Sequence, residues 1–292
     1  PSIGFDLSVV DIFSTICNGG TLIVPRNIFH RTFPAKFIKE NKITHAVFVP
    51  SFIQLMNSSS QLNKDNLQSL KKVFFCGEPL YKNQIKKLFN LNKKLKIINA
   101  YGPSEITVSC TKQLLNKNNF KKYSDDTVSI GKAINGMKIK LLDTPNFKDK
   151  ISELLISGPQ VFKGYLNNEA LNKSKFITID KRKYFKTGDL VKKIKGNLFF
   201  KKRNDNQIKI KGHRVELDEI DSMIRKFGIE ETKTIFKNLK LKSFVIAKNK
   251  KVPFILKFLK ASLPSYMIPS SIIALKTFPT NDNDKLDLEK LT

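Results

Sequence analysis

The stretch NAYGPSEITVSCT, residues 99–111, sets an apolar run against a Gly-Pro corner that carries one acid, Glu105. Just upstream, KKVFFCGEPL (71–80) repeats the design: a short apolar run, then Gly77, Glu78 and Pro79. Runs of four to six apolar residues ended by Gly or Pro read as buried strands. THAVFVPSFIQLM (44–56) reads as a strand broken at Pro50 and followed by a helix, and 82–89 reads as another helix. Strand-helix alternation predicts an α/β layer with a parallel sheet, whose sites lie beyond the carboxyl ends of the strands. Both corners lie there.

Working outward, FDLSVVDIFSTICNGGTLIVP (5–25) predicts a helix capped by Asp6. Its apolar face would be Val9, Val10, Ile12, Phe13 and Ile16, and Thr21 to Val24 would form a short buried strand. From Val128 the texture changes to short strands with Gly turns, as in SIGKAINGMKIKLLD (129–143) and YFKTGDL (184–190), which predicts a β-rich subdomain. VELDEIDSMIRKF (215–227) predicts an amphipathic helix with Val215, Ile220, Met223 and Ile224 on one face. The predicted organisation is an α/β core over 1–127, a β-rich subdomain over 128–204 and a small α+β lid domain over 205–292.

The chain has 292 residues, with 40% hydrophobic and 10% aromatic content, enough for a packed core. No run of about 18 apolar residues occurs, so no membrane-spanning helix is expected. Cys17, Cys76 and Cys110 are far apart and form no CxxC pair, which argues for a reducing, cytoplasmic setting and against structural zinc or disulfides, and His30, His45 and His213 have no metal-ligand spacing. The net charge of +28 raises nucleic-acid binding. The lysines come as scattered pairs, such as Lys71 with Lys72 and Lys192 with Lys193, so solvated surface charge is the preferred reading. No Gly-x4-Gly-Lys-Ser/Thr loop is present.

Five segments in order give the chain a family resemblance. NAYGPSE, YFKTGDL, KKRNDNQIKIKGHRVELDEID (201–221), LPSYMIP (263–269) and NDNDKLD (281–287) resemble the ordered motifs of adenylate-forming ligases. These include amino-acid adenylation domains, acyl-CoA synthetases and luciferases. FDLSVVDIFSTICNGGTL, VPSF (49–52) and FFCGEPL (74–80) are similar to the pocket segments of the D-alanine–carrier protein ligase group. The implied fold is a truncated adenylate-forming enzyme fold: parallel α/β layer, β-rich subdomain and mobile lid. The implied reaction joins a carboxylate to the α-phosphate of ATP with loss of pyrophosphate, and then passes the acyl group to a thiol. Catalysis of such a displacement rests on positioning and charge neutralisation.

The resemblance assigns roles to residues. Glu105 would hold Mg²⁺ against the phosphates, exposed by its Gly-Pro corner. Tyr101 would stack on adenine, and Ser104 would offer a hydroxyl to phosphate. Gly77, Glu78, Asn99 and Gly102 would complete the nucleotide site. Asp189 would accept the ribose diol, and Arg203 would reach ribose or α-phosphate. Asp205 would be the hinge, and Lys285 the lid ammonium that balances charge during adenylation. Asp6 would pair with the substrate's α-ammonium, which favours an amino acid over a fatty acid. Val10, Val47, Phe74, Cys76, Ala100 and Val108 would line a small apolar pocket; Cys76 reads equally well as a buried core thiol.

The implied partners are ATP with Mg²⁺, a small amino acid resembling D-alanine, and an acidic carrier protein bearing 4'-phosphopantetheine, or CoA. Nucleic acid and membrane insertion are not expected. The family's Ser/Thr/Gly-rich phosphate loop is expected to lie outside this chain, so residues 1–292 alone should show little adenylation. Two other readings stand beside this one: an acyl-CoA synthetase, and an inactive remnant or basic nucleic-acid-binding module.

Overall fold

The computed structural model describes residues 3–143, 151–205, 207–210, 212–280, 286–288 and 290–291. Backbone contacts divide the chain into two compact units, Pro1–Asn204 and Asp205–Thr292.

The first unit opens with helices α1 (Ser8–Ile16), α2 (Ile28–Thr32) and α3 (Pro34–Glu40). Strand β1 (His45–Phe48), α4 (Ser51–Ser58), α5 (Lys64–Leu67), β2 (Lys72–Phe75), α6 (Lys82–Leu91) and β3 (Lys96–Tyr101) then alternate. Strands β1, β2 and β3 pair in parallel, and β4 (Thr111–Leu115) and β5 (Lys132–Ala133) extend the sheet antiparallel in the order β1-β2-β3-β4-β5. The antiparallel edge is absent from the sequence expectation: the chain doubles back after the Gly-Pro corner instead of crossing over.

Side chains alternate across a strand, so the sheet has two different faces. Val73, Phe75 and Ile97 join Ile53, Ile85 and Phe89 in the main core. Val47, Phe74, Cys76, Ile98 and Ala100 point to a second, smaller cluster. At about 25 cal/mol per Å² of buried apolar surface, the main core is the chief stabiliser of this layer.

The predicted strand over Thr21 to Val24 does not form; Leu22, Ile23 and Val24 are exposed. A strand needs a partner for its N–H and C=O groups, and no neighbouring strand reaches these residues among those described. The apolar face predicted for α1 is also largely open, with Phe13 and Ile16 exposed.

A second sheet follows: β6 (Lys138–Asp143), β7 (Ile151–Ser157), β8 (Phe176–Ile179), β9 (Arg182–Ile194) and β10 (Asn197–Arg203), with α7 (Glu169–Lys175) before β8. Its order is β10-β9-β7-β6, antiparallel throughout, with β8 on β9. Leu154, Ile156, Phe185 and Val191 pack with Tyr101 and Ile106, so the end of β3 is built into this sheet's core.

The second unit has a hairpin of β11 (Gln207–Ile210) and β12 (His213–Glu216), helix α8 (Leu217–Lys226), β13 (Thr232–Lys237), β14 (Lys240–Ile246), α9 (Val252–Ser262) and β15 (Ser271–Leu275). Strand β14 pairs antiparallel with β13 and parallel with β15. Val215, Ile220 and Ile224 are buried with Val245, Ile255 and Leu259, and Met223 packs against them. No helix among the described residues is long and apolar enough to cross a membrane.

Candidate active site

Three constellations gather where β2 and β3 end, all within the first unit. The first is built on β9 and β10. Asp189 and Arg203 are cross-strand partners, and Arg203 Nη1 donates to Asp189 Oδ1 at 2.8 Å while Nη2 donates to the Thr187 carbonyl at 3.2 Å. The Tyr101 hydroxyl donates to the other oxygen, Asp189 Oδ2. Gly188 takes a left-handed φ of 72°, and Thr187 steadies this kink, donating to Leu154 O at 2.7 Å and accepting from Asp189 N–H at 3.0 Å. Asp189 is therefore a buried, oriented carboxylate inside a long strand, 5% exposed. Burial, and then the Asp189 charge, push the Tyr101 phenol well above its ordinary range, so it remains a donor. Tyr101→Phe should lower stability by about 1.5–3 kcal/mol, the worth of one hydrogen bond to a charged group, as read by urea unfolding.

The second constellation is Glu105. The expectation that the Gly-Pro corner exposes it is corrected: Glu105 is 8% exposed in a 3-10 turn, Ser104–Ile106. The segment after β7 covers it. Phe162 N–H donates to the Glu105 carbonyl at 2.8 Å, and the Tyr165 hydroxyl donates to Oε1 at 2.8 Å. Tyr165 escaped the sequence reading because its segment, VFKGYL, carries only an unremarked Gly-Tyr pair. Ser104, one residue away, is exposed.

The third is the apolar cluster on the second face of the sheet. It brings together Val10, Val47, Phe74, Cys76, Ala100 and Val108. Asp6 sits beside it. The expected helix cap is corrected: α1 has no side-chain cap, and Asp6 Oδ2 instead accepts from Val108 N–H at 2.8 Å. The Cys76 thiol donates to the Val108 carbonyl at 3.4 Å. Both groups hold a turn in which Thr107 and Val108 adopt φ of 54° and 67°. Such values cost a β-branched residue about 1–3 kcal/mol, and persist only where surrounding contacts impose them. Sequence pattern carried no sign of this turn. Gly102 makes it possible, because a Cβ there would lie 2.7 Å from Ser109 Cα and 2.8 Å from Val108 O.

The remaining candidates serve the backbone or stand apart. Gly77 has φ 94°, which suits only glycine at that corner. Glu78 accepts from Ser51 N–H at 2.8 Å and Ser51 Oγ at 3.1 Å, a carboxylate at the amino end of α4. Asn99 is buried and donates to the carbonyls of Ser129 (2.9 Å) and Val128 (3.3 Å). Asp205 opens the second unit and accepts from Gln207 N–H at 3.3 Å. Lys285 lies outside the described residues.

A cleft of about 950 Å³ opens elsewhere, lined by Lys39, His45, Lys71, Lys72, Lys94 and Lys96 among others. His45, Lys72 and Lys96 are the first residues of β1, β2 and β3, so this cleft lies at the amino ends, away from the corners. Burial and the Lys72 and Lys71 charges lower the His45 pKa. It shares no residue with the three constellations.

In the first unit a parallel layer is joined to an antiparallel sheet, with charged groups held at the strand ends between them. The family model described as AMP-binding enzyme matches residues 1–166, and the chain belongs to that family. Among curated proteins it is 32% identical to nonribosomal peptide synthetase 5 of Aspergillus fumigatus over 99% of this chain and 13% of that protein. It is 30% identical to the D-alanine–D-alanyl carrier protein ligase of Bacillus licheniformis over 98% of this chain and 60% of that ligase. Among solved structures it resembles the Vibrio cholerae adenylation domain AlmE in complex with glycyl-adenosine-5'-phosphate. There the TM-score is 0.85 and the identity 28%, over 99% of this chain and 56% of that one. The chain thus spans about 60% of the length of the ligase it matches.

Proposed function

We propose that this chain is part of an AMP-forming ligase that activates a small amino acid as its adenylate and passes it to a carrier-protein thiol. Family membership supports the reaction class. The observation that carries the substrate class is Asp6, a carboxylate fixed by Val108 N–H beside an apolar cluster whose space is taken up by Phe5, Phe52 and Phe74. An α-ammonium is the group such a carboxylate recognises, and the cluster suits a short side chain. The similarity to a D-alanine ligase and to a glycyl-adenylate complex agrees with that choice.

The Asp189 carboxylate accepts from Arg203 and Tyr101. An ionised carboxylate has about four acceptor sites, so capacity remains for a ribose diol. The Arg203 guanidinium beside it offers planar donors to ribose or phosphate oxygen. Tyr101 is packed in the core with its hydroxyl on Asp189, so we give it the role of orienting that carboxylate as well as facing the base. Glu105 fits a Mg²⁺ ion, since it is a hard oxygen donor held in place. No group of three metal-binding side chains occurs among the described residues, so the cation's other ligands would be phosphate oxygens and water. When bound, Mg²⁺ supplies neutralisation of phosphate charge. The lid role of Lys285, the hinge role of Asp205 and the acidic carrier partner belong to the same proposal; the net charge of +28 favours an acidic partner.

The test is ATP–pyrophosphate exchange by the full natural polypeptide against glycine, both alanine enantiomers, serine and medium-chain fatty acids. Exchange with a small amino acid is expected, and Asp6→Ala should raise its KM about 100-fold, the loss of one desolvated charge pair. Exchange with fatty acids alone would transfer the protein to the acyl-CoA synthetases.

A further inference from the structure

Tyr165 is held with unusual care for a residue outside the sheet. Asn172, in α7, grips its backbone from both sides: Tyr165 N–H donates to Asn172 Oδ1 at 2.7 Å, and Asn172 Nδ2 donates to the Tyr165 carbonyl at 2.8 Å. Gly164 beside it has φ 149°, and a Cβ there would lie 2.9 Å from Asn172 Oδ1. The Tyr165 ring packs edge-on against Phe162 at 4.8 Å, and Phe162 in turn meets Phe176 and Phe185 of the second sheet. Phe162 N–H also holds the Glu105 carbonyl. The arm meets the Glu105 side chain through the Tyr165 hydroxyl, which donates to Oε1 at 2.8 Å.

We propose that Tyr165 is a positioning residue for Glu105, and that Asn172 is the clamp that fixes Tyr165. This rests on the reading of Glu105 as the carboxylate that meets a nucleotide-bound cation. A neutral hydroxyl donor orients the carboxylate without cancelling its charge, which a lysine or arginine would do. The carboxylate is thereby set before the cation and nucleotide arrive, and no reorientation is needed on binding. An arm of aromatic packing and two amide bonds is stiff, so the aim of the hydroxyl is fixed by the second sheet.

The experiment uses the full natural polypeptide, Mn²⁺ as the probe and a non-hydrolysable ATP analogue, with bound Mn²⁺ counted by electron paramagnetic resonance. Tyr165→Phe keeps the ring and removes the hydroxyl. It should weaken Mn²⁺ binding in the ternary complex about tenfold, the equivalent of one charge-assisted hydrogen bond. Asn172→Ala leaves the hydroxyl present but unclamped and should weaken binding in the same direction by a smaller factor. In exchange assays both variants should raise the Mg²⁺ concentration for half-maximal rate and leave the amino-acid KM unchanged. Wild-type Mn²⁺ affinity in both folded variants overturns the positioning role while leaving the ligase reading intact. A wild-type ternary complex that holds no Mn²⁺ overturns the metal role of Glu105, and this proposal with it.

Discussion

Replacing Asp189 with alanine should destabilise the first unit by about 3–5 kcal/mol, the expected penalty for breaking a buried ion pair from one side. The Arg203 side chain is only 10% exposed and would be left charged without its carboxylate. The Tyr101 hydroxyl would lose its acceptor at the same time. The backbone should suffer less, because Thr187 and Glu153 hold the Gly188 kink through their own bonds. Asp189→Asn retains the shape and one acceptor oxygen but sets an amide NH2 against one of the two donors and removes the charge, so it should cost about 1–3 kcal/mol, less than alanine. Denaturant unfolding of the two variants checks the order. Equal and small losses would mean that Arg203 finds another partner, and the charge would then not be essential to this end of the sheet. In the full polypeptide both variants should lose nucleotide affinity, with alanine the worse.

Gly102→Ala should be nearly as damaging, by a different route. The added Cβ would meet backbone atoms of Val108, Ser109 and Cys110 at 2.7–3.1 Å. Backbone cannot rotate away as the end of a side chain can, so the strained turn must move. That turn carries the N–H that fixes Asp6 and the carbonyl that receives Cys76. We expect about 1–3 kcal/mol of lost stability, typical of overpacking, and a fall of about 100-fold in exchange rate from misplacement of the substrate carboxylate. Gly4→Ala, where an added Cβ meets nothing within 4 Å, is the control and should leave both quantities unchanged. Normal exchange by Gly102→Ala would show that the 107–108 turn has no part in placing substrate.

Part of this was legible in the sequence. Short apolar runs ended by Gly or Pro marked β2 and β3, because a buried strand needs continuous apolar surface and a defined stop. The 3.6-residue spacing of Ile220 and Ile224 marked α8, whose buried stripe they form. Thr21 to Val24 has the same composition as a buried strand and is not one, since pairing depends on a neighbour that composition does not reveal. The helix signal at Asp6 misled for a related reason: a carboxylate can cap locally or bind at a distance, and here it reaches Val108, 102 residues away.

What the sequence determined by itself is the series of strand and helix periods, the corners that stop them, and the ordered motifs that mark the family. Tertiary structure alone decided which groups face each other: Tyr165 on Glu105, Tyr101 and Arg203 on Asp189, and Asp6 on a turn held at unfavourable φ. Local periods follow from the geometry of a few successive residues. A hydrogen bond between distant residues depends on how whole sheets pack, and that packing is a collective minimum no short segment encodes.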